Sequence, residues 1–367
     1  MSLVQGLQVA RQVGQAVMNQ RVSYLIVFVT AKCNLLCKHC FYTEEIQNAK
    51  NKNELSLEEY GKIAQKTGPL TNLNFTGGEP FIRKDLPEII DSFRRYTGVP
   101  FVGITTNGLL RHHILEMVEK ICSQEGPHYL KLGVSIDGFK EVHDRTRDRV
   151  GCFEETIKTV RALRPLRDRY PNLMVYISTT ITKYNKGEIQ EFIDFVRDDL
   201  AVDSHYLGYI RGNAMVEETK EVSAEEYRKA TNHLRHRWNH KSPVYNLLDV
   251  ANALMVSVNQ RMIEKGEYIM PCVAGEKMLT ITEEGLVKPC EVLEQIGVSP
   301  YIMGDLRQCD YDIYKVLATP TAREIRRRIL DDHCHCTFEC ANQASIVYKL
   351  PNLAKAATLY WSQKIKR

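Results

Sequence analysis

From about Arg21 to Ile210 the chain alternates short apolar runs with longer stretches whose apolar residues recur at helical spacing. The runs Tyr24–Thr30, Leu73–Thr76, Phe101–Thr105, Leu130–Ile136, Val175–Ile181 and His205–Ile210 are rich in β-branched and aromatic residues, which predicts strands. Leu57–Thr67, Asp85–Tyr96, Arg111–Cys122, Phe153–Leu166 and Glu188–Asp199 carry the amphipathic period of helices. Ser56, followed by Glu59 three residues on, forms a capping-box pattern at the start of the first of these. Alternation of this kind predicts parallel strands wrapped by helices. A closed barrel takes eight β/α units; six predict an α/β fold with an open, partial (β/α)6 barrel over residues 21–215.

The flanks have other patterns. Residues 1–20 form a mildly amphipathic helix, with Leu3, Leu7, Val13 and Val17 near one face. They have neither the basic start nor the continuous apolar stretch of a secretory signal. Residues 216–266 are helical and strongly charged, as a connector would be. Residues 267–345 form a small cysteine-rich region with hairpin-like turns such as Glu284-Gly285, and residues 346–367 a terminal helix with Pro351 in its first turn. No run of about 18 apolar residues predicts a membrane span. The terminal helix supports two readings. Leu353, Ala357, Tyr360 and Trp361 on one side, with Lys364, Lys366 and Arg367 at the end, suit peripheral contact with an acidic membrane. The plainer reading, and the preferred one, is a helix packed over the barrel, its basic residues favouring its C-terminus.

Hydrophobic residues make up 44% of the chain, ordinary for a globular protein. The formal charge of +4 is small, and basic residues are interspersed with acidic ones, so no nucleic-acid footprint emerges. Eleven cysteines change the picture more. Eight fall in two groups of ligand-like spacing, which favours a reducing cytoplasm and metal or cluster binding over disulfides.

The first group follows the first strand in AKCNLLCKHCFY, where Cys33, Cys37 and Cys40 form C-x3-C-x2-C. Three thiolates on one loop can hold three irons of a cubane and leave the fourth open. An open iron can chelate an amine and a carboxylate, such as the methionine end of S-adenosylmethionine. Electron donation into the sulfonium then yields a 5′-deoxyadenosyl radical. A structural zinc site is the alternative, but zinc normally takes four protein ligands, and His39 sits too close to Cys40 to serve comfortably.

This spacing resembles the radical S-adenosylmethionine (radical SAM) superfamily, whose partial barrel is TIM-like. His39 departs from the aromatic residue usual before the third cysteine. Gly77, Gly78, Glu79 and Pro80 match the family's glycine-rich motif at the end of the second strand. The resemblance implies that the two glycines let backbone groups approach the methionine amine and that Glu79 adds charge complementarity. Other strand ends are polar: Thr105-Thr106-Asn107-Gly108, Ser135-Ile136-Asp137-Gly138, Thr180-Ile181-Thr182-Lys183 and Arg211-Gly212. In β/α barrels such ends carry the chemistry. By similarity, Ser135 touches the ribose or the methionine carboxylate, Arg147 partners the carboxylate and Ile181 packs near the adenine. Phe41, Asn107 and Asp137 complete the cofactor-binding set that the resemblance implies. Asn107, Ser135 and Asp137 have a plainer reading as residues that satisfy turns.

The second group begins with Cys272 and Cys290. Gly285 lies five residues before Cys290, giving C-x12-G-x4-C. Cys334, Cys336 and Cys340 follow in HCHCTFEC. The frame resembles the start of the SPASM extension or its shorter relative, twitch. Five cysteines are too few for two fully ligated clusters, so one auxiliary [4Fe–4S] cluster is expected. Cys272, Cys290 and Cys340 are the first choice of ligands, and Cys336 is preferred over Cys334 for the fourth. A zinc knuckle that uses His333 or His335 is the alternative. Cys122 and Cys152 read as packing residues, and Cys309 stands isolated.

The resemblance implies S-adenosylmethionine and two [4Fe–4S] clusters as cofactors, and an electron donor such as flavodoxin or ferredoxin. It leaves the substrate open. With the first strand starting near residue 22, the sequence given shows no space ahead of it for an extra peptide-recognition domain. The expected substrate is therefore a small molecule, sugar or lipid-linked compound that is oxidised, epimerised or cross-linked. Peptide maturation by SPASM or twitch chemistry is the second reading, and a non-catalytic iron–sulfur or zinc scaffold the third.

Overall fold

The computed structural model describes residues 3–126, 128–237 and 243–365. All six expected strands form: β1 Tyr24–Thr30, β2 Asn72–Gly77, β3 Phe101–Thr106, β4 Tyr129–Ser135, β5 Leu173–Ile181 and β6 Ser204–Tyr209. They run parallel in the order β6-β5-β4-β3-β2-β1. The sheet does not end at β1. A short strand of the cysteine-rich region, β7 Met278–Ile281, pairs parallel with β1 in the register Tyr24↔Met278 to Val27↔Ile281. β8 Leu286–Lys288 and β9 Gly304–Asp305 continue the sheet antiparallel. β1 is thus an inner strand, and all seven of its residues are buried.

Strand alternation divides the two faces. On β2, Leu73 and Phe75 are fully buried, while Asn72, Asn74 and Thr76 face a central cavity. On β4, Leu130, Leu132 and Val134 are buried, and Lys131 and Ser135 face the cavity. The apolar core thus lies between sheet and helices, while the inner face is polar and free to bind.

Helix ends obey local chemistry. Ser56 accepts from the Glu59 amide, and the Glu59 side chain accepts from the Ser56 amide, completing the capping box of Leu57–Thr67. The helix expected over Phe153–Leu166 is broken. Cys152–Ala162 ends, and Arg164–Arg169 begins with Pro165 in its first turn, because proline cannot donate within a helix interior but fits a first turn. Glu188–Asp199 likewise forms as Ile189–Phe195 followed by a wider π turn, Val196–Leu200.

The connector folds as the helices Ala224–Arg237 and Pro243–Lys265. The terminal helix, Leu350–Ile365, packs through Ala356, Ala357, Leu359 and Tyr360 into an apolar cluster with Met255, Val258 and Ile346. Leu353 and Trp361 stay exposed. The expectation for Lys366 and Arg367 lies outside the described residues, as does that for the Lys364 side chain. Among the described residues, no helix is long and apolar enough to cross a membrane.

Candidate active site

The cysteine loop leaves β1 and is held from three sides. Gly78 N donates to Thr30 O, and Glu79 N donates to Lys32 O, both at 2.8 Å. A Cβ on Gly77 would stand 2.3 Å from Thr30 O, and one on Gly78 2.1 Å from Lys32 O. Glycine is required here because the cysteine loop lies directly against the β2 end. Lys38 N donates to Thr146 O, after β4, and Val216 N to Lys38 O, after β6. Asn107 Nδ2 donates to Asn34 Oδ1 at 2.7 Å.

All six strand ends meet at a cavity of about 400 Å3. Its walls include Cys33, Cys37 and Cys40, then Gly77, Gly78 and Glu79, then Asn107, Ser135, Arg147 and Phe41. Asp137 and Ile181 do not line it. Asp137 lies just behind, fully buried and 2.7 Å from Arg147. Ile181 packs with Ile189, Ile193, Leu207 and Tyr227 on another face.

Glu79 is almost wholly buried. It accepts from Asn107 N and Thr106 Oγ1, both at 2.8 Å, and from Phe81 N at 3.2 Å. Burial outweighs these donors and lifts its carboxyl to about 7. Such a group gains from a cation beside it. Arg147 places Nη1 3.7 Å from Cys37 Sγ and pairs with Asp137 through Nη2. Burial works against ionisation of Asp137, but Arg147, His39 and His143 together hold its carboxyl below the usual range. Burial also pushes the Cys33 thiol up to about 11 and the Cys37 thiol up to about 12, and lowers His39 to about 4, keeping the ring neutral. His39 Nδ1 is buried without a hydrogen-bond partner among the described residues.

A further residue joins the two cysteine groups. Arg211, at the end of β6, donates to Glu339 Oε2 and Glu291 Oε2, each at 3.0 Å. Glu291 follows Cys290 and Glu339 precedes Cys340. The guanidinium also lies 5.4 Å from the Phe41 ring and 4.7 Å from the Phe338 ring. Arg211 was legible only as a polar strand end. The neighbouring cysteines were the available signal for Glu291 and Glu339.

The loop donors fit an iron–sulfur cluster. All three thiols are free, and two accept backbone amides: Cys33 from Leu35, and Cys40 from Tyr42 at 3.3 Å. Such bonds favour the thiolate that iron requires. The C-terminal thiols are free as well and are largely withdrawn from solvent.

An open parallel barrel with a thiol-rich loop at its mouth defines an iron–sulfur enzyme class. Residues 27–196 match the family model of the radical SAM superfamily, so the chain carries a radical SAM domain. The family uses a [4Fe–4S] cluster and S-adenosylmethionine. The chain is 35% identical over 211 residues to Fe-coproporphyrin III synthase of Methanosarcina barkeri, covering 55% of this chain and 48% of that protein. It is 30% identical over 273 residues to the antilisterial bacteriocin subtilosin biosynthesis protein AlbA of Bacillus subtilis, covering 71% and 53%. It thus spans about half the length of these two curated relatives. Among solved structures it resembles Streptococcus suis SuiB bound to S-adenosylmethionine, at 15% identity and a TM-score of 0.61 over 87% of this chain and 71% of that one. SuiB has also been solved bound to the precursor peptide SuiA. The likeness to SuiB concerns the fold, and the C-terminal cysteines are consistent with a SPASM-type extension.

Proposed function

We propose that this protein is a SPASM- or twitch-type radical SAM enzyme whose substrate is a peptide. The carrying observation is one cavity whose wall includes both the cysteine loop and Glu339, Cys340 and Gln343 of the auxiliary region. A substrate there lies between the two cysteine groups. A cavity of this size takes small ligands, so a peptide would insert one side chain and leave the rest outside. The likeness to AlbA, a bacteriocin biosynthesis protein, and to SuiB, solved with a precursor peptide, supports this class.

Cys33, Cys37 and Cys40 would hold a [4Fe–4S] cluster, which would supply the electron for reductive cleavage of S-adenosylmethionine. The chain's own groups bind and orient. Glu79 receives the methionine ammonium, Ser135 contacts the ribose or carboxylate, and Arg147, fixed by Asp137, sets positive charge beside the loop. Phe41 packs between the loop and Arg211. A flavodoxin or ferredoxin delivers the electron. A small-molecule substrate is the second reading; it rests on the 35% identity to the coproporphyrin III synthase.

The test has two steps. Reconstituted protein, reduced anaerobically with S-adenosylmethionine, should release 5′-deoxyadenosine; background release alone would remove the enzymatic reading. Mass spectrometry of cells with and without the gene should then show a mass change confined to peptides. A change confined to small metabolites would select the second reading.

A further inference from the structure

Among the described residues the wall of the central cavity carries three permanent or near-permanent cations, Lys131, Arg147 and Arg211. Two of them are matched. Arg147 pairs with Asp137, and Arg211 with Glu291 and Glu339. Lys131 is not. Among the described residues it makes no ion pair and no hydrogen bond; its Nζ lies 5.6 Å from the centre of the Phe101 ring. Burial draws its pKa down, and no carboxylate offsets this. An ammonium taken out of water without a counter-charge is unfavourable, and an anion beside it restores the balance.

The sheet register puts this cation on the floor of the cavity. Lys131 and Ser135 lie on the same face of β4, four residues apart, which is about 13 Å along a strand. Ser135 stands at the cysteine-loop end and Lys131 at the far end. Lys131 sits between Gly103 of β3 and Met174 of β5. Glycines clear the space around it. A Cβ on Gly103 would stand 2.3 Å from Asn74 Oδ1, and one on Gly133 2.5 Å from the Tyr176 hydroxyl. Asn74 and Tyr176 thus lie over the backbone beside Lys131, and Asn74 Nδ2 donates to the Tyr24 hydroxyl at 2.5 Å. The cation is set in a polar floor that small residues keep open.

We infer that Lys131 determines substrate specificity by pairing with a carboxylate on the group that enters the cavity. This deepens the reading that a peptide inserts one side chain, and it rests on that reading for the identity of the group, an acidic side chain or a C-terminal carboxylate. Anchored at the floor, the carboxylate turns the carbons behind it towards the cysteine loop. Specificity then follows from charge: an amide in place of the carboxylate leaves the ammonium unpaired.

Calorimetric titration of the reconstituted full-length protein, with S-adenosylmethionine bound, tests this. The probes are N-acetyl-glutamate methylamide for a side-chain carboxylate, N-acetyl-alanine for a C-terminal one and glutarate for a free small acid, each against its uncharged amide. Wild type should prefer at least one acid roughly 10- to 100-fold over its amide, and the acid preferred names the source. Lys131→Met should abolish that preference, and Lys131→Arg should keep part of it. Wild type that prefers none of the acids overturns the inference. So does an undiminished preference in Lys131→Met, which would put the carboxylate on Arg147 or Arg211. Should Lys131→Met fail to fold by circular dichroism, the wild type decides. The preferred acid, and not its amide, should protect Lys131 from acetic anhydride; equal labelling with and without it overturns the assignment. None of the probes is a full peptide, so this result stands apart from the mass-spectrometric test of the peptide reading, and either can fail alone.

Discussion

Glu79 is a carboxylate buried behind glycines and fed by three hydrogen-bond donors. Its rise from the ordinary 4.5 to about 7 corresponds to roughly 3 kcal/mol between the two protonation states. Because the folded value is raised, the stability tied to this group is complete below pH 4.5 and disappears as pH climbs through about 7. The unliganded wild type should therefore lose stability relative to Glu79→Gln between pH 5 and pH 8. Urea unfolding of both proteins at the two pH values checks this, and parallel curves would refute it. If Glu79 holds the methionine ammonium, the same variant should bind S-adenosylmethionine roughly 10- to 100-fold more weakly, the weight of a charge-assisted bond. Equilibrium binding to the reconstituted protein measures that. Asp137 has the opposite sign: its lowered carboxyl contributes stability at neutral pH that is lost on acidification. Asp137→Ala strands the buried Arg147 and should cost about 3–5 kcal/mol; a change below 1 kcal/mol would show that Arg147 finds another partner.

The elements divide by how local their causes are. The barrel strands and the capped helix at Ser56 were legible because each is set by its own period and cap. Two breaks escape that reading: Pro165, inside an otherwise helical pattern, and the π turn Val196–Leu200. β7 was not legible as a parallel strand, because its four residues owe their place to a partner far away in sequence. The site divides likewise. The C-x3-C-x2-C loop and GGEP stand out as spacing, whereas the Arg211, Glu291 and Glu339 bridge exists only once β6, β8 and the helix Glu339–Tyr348 come together. The β7–β8 hairpin makes the auxiliary region testable as an element. Gly285 turns there at φ +89°, and a Cβ would press on Leu55 at 3.1 Å. Gly285→Val should cost about 1–3 kcal/mol and displace Cys290. Iron should fall from about eight towards about four, with slow cleavage of S-adenosylmethionine retained. Full iron content in that variant would show that the hairpin tolerates the strain.

Across the whole molecule, β1 is the seam. It carries the cysteine loop at its end, and its two neighbours are β2 and β7. The first is reached within about 50 residues, the second only after roughly 250. At a synthesis rate of about 5–20 residues per second, β1 waits on the order of 10 to 50 s for that second neighbour. During that interval an apolar strand presents an unpaired edge, the template for association with other chains. A chain stopped at Glu276, ahead of β7, should keep that edge permanently. It should accumulate in the insoluble fraction, whereas a chain stopped at Lys349 should remain soluble; equal solubility on fractionation would refute this. For the growing polypeptide the last quarter is therefore a chaperone in cis, and the vulnerable moment in this protein's life comes before any iron is loaded.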